Sequence, residues 1–219
     1  MTKNFFLFDF DGVILNTEPL WEKAKKEIFR NLFGEKIFKE LGNTVGMSME
    51  GIHAKAANLG ANVPLEKAIE AFHEYAPNIY RDSPITPGVN NLKNELLNLG
   101  FTVGIVSASP KWWLDIALKR LEWGNEIKEI LSLADRPDIE HKPSPQGYIE
   151  LMNMLNATKE ESVALEDSNS GIASAKAAGI YTIGLKENLV PGQEQTGADT
   201  YANSMDEVLQ IVKTLINQT

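Results

Sequence analysis

Phe5, Phe6, Leu7, Phe8 and Phe10 fill five of six consecutive positions, and Asp9, Asp11 and Gly12 stand at the end of that run. A short apolar run without polar alternation is the pattern of a strand buried on both faces, as in the middle of a helix-covered parallel sheet. In extended backbone, residues i and i+2 project to the same side, so Asp9 and Asp11 crowd one small volume at the strand's C-terminal end. Two carboxylates so placed repel, and one is expected to hold a proton unless a cation lies between them. Such a pair serves a nucleophile beside an acid/base group, or a metal ion, or both. A strand end followed by an Asp-Gly turn would also produce it. Gly12 lets the backbone turn sharply or lets a ligand approach closely.

The next segment is of another kind. Thr17 suits a helix N-cap and Pro19 a first turn. Trp21, Ala24, Ile28 and Leu32 then recur at helical spacing through about residue 38. Glycines break the pattern at 42–46, and two more helices are expected over 49–59 and 65–75, the second closed by Pro77. No good strand lies in 17–82. After the Pro-rich connector 83–88 the pattern alternates: helices over 89–99, 111–121, 145–155 and 171–178, strands over 101–106, 130–133, 162–165 and 180–183. Alternation of this sort predicts an α/β fold, a Rossmann-like parallel sheet with helices on both faces. The helical block becomes a cap domain inserted after the first strand. The expected domains are 1–16 with 83–219 for the core and 17–82 for the cap.

In such sheets ligands bind at the carboxyl ends of the strands, so what stands there matters most. The first strand ends at Asp9 and Asp11. The strand at 101–106 runs into Ser107-Ala108-Ser109-Pro110, and that at 162–165 into Glu166-Asp167-Ser168. Lys142 precedes a helix in His141-Lys142-Pro143. Singly, a serine after a strand is a turn residue, Lys142 a solvated loop lysine, and Glu166-Asp167 a pair favouring a helix N-terminus. Together, at successive strand ends, they gather up to four negative charges against one positive. That excess calls for a hard divalent cation, and oxygen-only ligands suit Mg²⁺. A lysine and hydroxyls beside Mg²⁺ favour phosphoryl transfer.

Composition removes other classes. A net charge of −9 without an obvious basic stripe argues against nucleic-acid partners. The absence of cysteine excludes thiol catalysis, disulfides and thiolate metal sites, and suits a reducing cytoplasm. No 18-residue apolar run is present, so no membrane span is expected, and residues 1–3 lack the length of a signal peptide. A monomer acting on a small phosphorylated metabolite is the expectation.

Asp9-Phe-Asp11-Gly12-Val-Ile, Ser107, Lys142-Pro143 and Glu166-Asp167 together resemble the four motifs of the haloacid dehalogenase superfamily. The insertion after the first motif is similar to the type-one cap of its beta-phosphoglucomutase-like subgroup, as is the segment 164–179. True dehalogenases lack the second aspartate, so Asp11 speaks against that chemistry. The resemblance implies Asp9 as nucleophile forming an aspartyl-phosphate and Asp11 as general acid, then base. It implies Ser107 and the backbone near Ala108 as phosphoryl ligands, and Lys142 as the neutralising cation. It also implies Mg²⁺ held by Asp9, Asp167 and the Asp11 carbonyl, with Glu166 direct or through water. Trp21 stands where the subgroup's mutases carry a histidine, and the turn at 46–49 has no arginine for a second phosphate. Glu18-Pro-Leu-Trp21 instead looks like sugar-phosphate phosphatases, with Trp21 either at the substrate or in the helix core. A Mg²⁺-dependent sugar-phosphate phosphatase is therefore expected. A phosphomutase is the alternative, and a phospho-aspartate signalling receiver the non-enzyme alternative.

Overall fold

The computed structural model describes residues 3–42, 44, 49–121, 123, 126–190 and 192–217. Most of the expected glycine break at 42–46 and of the turn at 46–49 lies outside those residues. The chain divides into two compact units, Met1–Asn16 with Pro84–Thr219, and Thr17–Ser83.

The larger unit is a six-stranded, wholly parallel sheet. Its strands are β1 (Phe5–Phe8), β2 (Thr102–Ser107), β3 (Ile127–Ser132), β4 (Ser162–Glu166), β5 (Tyr181–Leu185) and β6 (Thr200–Ala202), in the spatial order 3-2-1-4-5-6. β1 is central because its side chains are apolar on both sides. Leu7 joins the cluster made with α6 (Gln146–Leu155) and α7 (Asn169–Ala177), including Leu151 and Ala175. Phe6 and Phe8, one residue out of phase, turn to the opposite face. There Phe8 meets Trp123, whose indole N–H donates to Asn90 on α4 (Val89–Asn98). The strand order reverses between β1 and β4, which opens a crevice at their carboxyl ends.

Several elements differ from expectation. β3 begins three residues early: Ile127 pairs with Val103, and the register then shifts between Val103 and Gly104. An edge strand tolerates the Lys128 and Glu129 that hid it. α7 starts at Asn169 because Ser168 caps it, its hydroxyl accepting from Gly171 N at 3.0 Å. β6 adds the sixth strand beside β5, and α8 (Met205–Asn217) follows it, where no element was expected.

The smaller unit holds α1 (Glu18–Leu41), α2 (Met49–Asn58) and α3 (Leu65–Asp82). Gly34 breaks α1 at φ 82°, ψ 160°, a conformation glycine adopts without penalty. Pro77 does not close the third helix: α3 runs through it to Asp82. Proline forfeits one backbone bond there, and burial of Ala76, Ile79 and Tyr80 on the same turns offsets the loss. Thr17 precedes α1, but its side chain makes no capping bond. Among the described residues no helix is long and apolar enough to cross a membrane.

Candidate active site

β1 and β4 run side by side, Phe8 level with Leu165, so Asp9 and Glu166 emerge next to each other. The Asp9 amide still donates to the Leu165 carbonyl at 3.0 Å, which carries the ladder one residue past the strand. Asp9 is 6% exposed and Glu166 fully buried. Lys142 Nζ lies between them, 2.5 Å from Asp9 Oδ1 and 2.7 Å from Glu166 Oε1. Tyr148, on α6, donates its hydroxyl to the same Glu166 Oε1 at 2.7 Å. Carboxylate oxygens of Asp9, Glu166 and Asp167 all lie within 4.8 Å of one another.

Burial dominates the electrostatics. It pushes the Asp9 carboxyl up to about 7; Lys142 opposes this and Glu166 adds to it. Asp167 is raised well above the ordinary carboxylate range by burial, then by Asp9 and Glu166. For Lys142 burial acts to lower the pKa, but Asp9 and Glu166 outweigh it and the ammonium is held more firmly than usual. One cation thus faces three carboxylates, a deficit that desolvation makes expensive.

The donor set fits a hard divalent ion. All candidate ligands are oxygens, and Glu166 Oε2 is buried with no hydrogen-bond partner, a cost that a cation or its water would relieve. Gly12 contributes by what it lacks. A Cβ there would stand 1.9 Å from Asp167 Oδ2, at a φ of +83° that disfavours any side chain. Gly12→Ala is expected to lose about 1–3 kcal/mol of stability from the backbone alone. It should also displace Asp167 from the acidic group that could hold a metal ion, read by denaturant unfolding with and without added Mg²⁺.

The second aspartate is used differently. The Asp11 carboxylate faces β2: Ser109 Oγ donates to its Oδ2 at 2.8 Å, and Ser107 Oγ at 3.3 Å. It is not part of the three-carboxylate group, so a metal contact from Asp11 would fall to its carbonyl. Ser107 ends β2, fully buried, and its hydroxyl also accepts from Ser109 N at 3.0 Å. Ala108 between them is exposed. Trp21 belongs to the smaller unit, 7% exposed and stacked on Phe72 at 5.3 Å.

Four residues around these groups were not singled out from sequence. Ser109 had a signal, since it stands two after Ser107 and so shares its side. Tyr148 had none; only the packing of α6 on the sheet brings it to Glu166. Asn188 and Gln195 come from the loop after β5. Asn188 Nδ2 donates to the Gly12 carbonyl at 2.9 Å and Gln195 Nε2 to the Asp167 carbonyl at 2.5 Å, which ties both acidic loops down.

Comparison with known proteins shows the family and the fold. The haloacid dehalogenase-like hydrolase family matches residues 6–185. Hexitol phosphatase B of Escherichia coli (strain K12) is 28% identical over 184 residues, 81% of each chain. The phosphorylated carbohydrates phosphatase of Thermotoga maritima is 26% identical over 215 residues, 96% of this chain and 98% of that one. The crystal structure of beta-phosphoglucomutase from Clostridium difficile superposes with a TM-score of 0.76 at 19% identity, covering 99% of this chain and 98% of that one, a likeness of fold. With its motifs, sheet order and matched span all in agreement, this chain belongs to the haloacid dehalogenase-like hydrolase family.

Proposed function

We propose that the chain is a Mg²⁺-dependent phosphatase that hydrolyses a small sugar phosphate through an aspartyl-phosphate on Asp9. The observation that carries this reading is Lys142 Nζ bridging Asp9 and Glu166, with Asp167 alongside. A nucleophile held beside a fixed cation, in an acidic pocket short of positive charge, is suited to an incoming phosphoryl group. The relatives named for phosphorylated carbohydrates and hexitol phosphates support the substrate class.

In this reading Asp9 attacks phosphorus in line with the leaving oxygen. Asp11 gives its proton to the departing alkoxide, then takes one from the water that attacks the aspartyl-phosphate. Ser107 Oγ and the Ala108 backbone hold phosphoryl oxygens, and Lys142 neutralises charge gathering between Asp9 and phosphorus. Asp9, Asp167 and the Asp11 carbonyl would hold the ion, with Glu166 direct or through water, oriented by Tyr148. Bound Mg²⁺ supplies the positive charge that lets a phosphate dianion enter among carboxylates. Trp21 stands as a candidate for sugar contact on its place in the sequence alone; in the structure it packs on Phe72 within the smaller unit.

Phosphate release and sugar isomers, measured across a panel of sugar and nucleotide monophosphates with Mg²⁺, test the reading. Release of inorganic phosphate, fastest from hexose, deoxyhexose or hexitol phosphates, is the expected result. Conversion of beta-glucose 1-phosphate to glucose 6-phosphate would make the protein a mutase, and a long-lived phospho-aspartate without turnover a receiver.

Acidity adds a second check. A carboxyl raised from 3.8 to about 7 on folding contributes stability that is full below the unfolded value and lost as pH rises through the folded one. The metal-free site therefore opposes folding increasingly between about pH 4 and pH 7, by an amount on the order of a few kcal/mol. Mg²⁺ is expected to raise the melting temperature more at about pH 7.5 than at about pH 5.5, because protons compete for the same oxygens. EDTA should stop turnover and Mg²⁺ restore it; equal shifts at both pH values and turnover in EDTA would remove the charge argument.

A further inference from the structure

The hydroxyl of Ser107 has two claims on it. It donates to Asp11 Oδ2 across a long 3.3 Å, and it is the group that the proposed reaction assigns to a phosphoryl oxygen. A serine hydroxyl carries one proton and can serve one of these at a time. When substrate enters, Asp11 loses that contact at the moment its position matters most. Ser109 stands beside it with a shorter bond, 2.8 Å to the same Oδ2.

Ser109 is itself fixed by its backbone. Its N–H donates to Ser107 Oγ at 3.0 Å, and its carbonyl accepts from the buried Ser132 Oγ at 2.8 Å. Ser132 Oγ in turn accepts from Asp135 N at 3.3 Å, and Leu133 N donates to the Ser107 carbonyl at 2.8 Å. The turn after β2 is thus pinned to the turn after β3, and the Ser109 side chain points from that frame at Asp11.

We infer that Ser109 is a positioning residue for proton transfer: it keeps the Asp11 carboxyl aimed while Ser107 changes partner from Asp11 to the phosphoryl group. The inference rests on the phosphatase reading above. Both hydroxyls donate to Oδ2, so that oxygen is what fixes the aim of the carboxyl. In the first step the Asp9 oxygen bonds to phosphorus, the ester P–O bond breaks, and the Asp11 carboxyl proton moves to the leaving oxygen to give the alcohol. In the second, water bonds to phosphorus, its proton returns to Asp11, and the P–O bond to Asp9 breaks to free inorganic phosphate. Mass and charge close over the two steps, and no further reactant is needed.

Misaiming an acid harms poor leaving groups far more than good ones. The test compares wild type, Ser109→Ala and Ser109→Thr on a graded series of aryl phosphates, from p-nitrophenyl to p-methoxyphenyl, and on the best sugar phosphate of the panel. The readout is kcat/KM, which reports the step that forms the aspartyl-phosphate. For Ser109→Ala the p-nitrophenyl ester should stay within about threefold while the sugar phosphate falls about 10–100-fold, a part of the ~10²–10⁴ that general acid catalysis supplies. The dependence on leaving-group acidity should steepen accordingly, and Ser109→Thr should restore it. The ratio between two esters on one preparation is unaffected by the fraction folded, and alanine keeps both backbone bonds of residue 109. Equal loss on all esters, or no loss on any, overturns the role of Ser109 while leaving the phosphatase reading standing. A wild-type protein that hydrolyses no ester overturns both.

Discussion

Asp9→Asn is expected to abolish turnover and leave the fold intact. An amide is neither an anion nor a nucleophile toward phosphorus, so the covalent route closes rather than slows. Loss of a covalent nucleophile costs on the order of 10⁶ in kcat in enzymes whose catalytic groups act as a unit. Stability should move little, or upward, above neutral pH. The carboxylate being removed is 6% exposed, with its pKa pushed to about 7, so ionising it in the folded chain is unfavourable. Lys142 keeps Glu166 at 2.7 Å in its absence. The measurement is phosphate release together with a urea unfolding curve, and acid-quenched wild type should show one phosphoryl group by intact mass where the variant shows none. A folded, active Asp9→Asn protein would refute the mechanism.

The second large effect is expected at Lys142, and it is structural as well as catalytic. Its ammonium touches Asp9, Glu166 and, at 3.5 Å, the Val106 carbonyl. Lys142→Met keeps the length and apolar stem but leaves two carboxylates facing each other in a dry pocket. Removing one member of a buried ionic group typically costs about 3–5 kcal/mol, because the charge left behind has no compensation. That cost should be read at about pH 7.5 without metal and should shrink toward about pH 5.5, as the Asp9 carboxyl, pushed up to about 7 by burial, takes up its proton. Activity should drop by about 10²–10³, the value of one fixed donor at a developing charge. Mg²⁺ should recover part of the stability but not the rate, since the ion cannot replace a cation held between Asp9 and the phosphoryl group. Unchanged unfolding midpoints at both pH values would mean that the bridge contributes nothing.

Much of this was legible because backbone periodicity carries it. The apolar run of Phe5–Phe8 could lie only where both sheet faces are covered, and it does. Strand ends at Asp9, Ser107 and Glu166 could be counted along the chain, and a parallel sheet brings consecutive strand ends to one rim. Lys142 lies in a loop that the sequence places by motif alone; the packing of α6 carries its ammonium to both acids. Pro77 shows the limit of local rules. As punctuation it ends a helix, yet burying Tyr80 and Ile79 outweighs one lost backbone bond. β3 was half hidden by Lys128 and Glu129, whose charges an edge position accepts.

Sequence by itself determined the residue types and their order: an apolar strand, two aspartates two apart, a hydroxyl, a lysine, an acidic pair. Those follow from composition and a period of two, which are local. Which carboxylate faces which partner was decided by tertiary structure. Asp9 turns to Lys142 and Asp167, while Asp11, two residues on, turns to Ser107 and Ser109. Gly12 must be bare because Asp167, 155 positions later in the chain, occupies the space of its side chain. Tyr148 reaches Glu166 only because a helix packs on the sheet there. Charge pairing at close range depends on distances below about 3 Å, and those are set by packing between segments far apart in the chain.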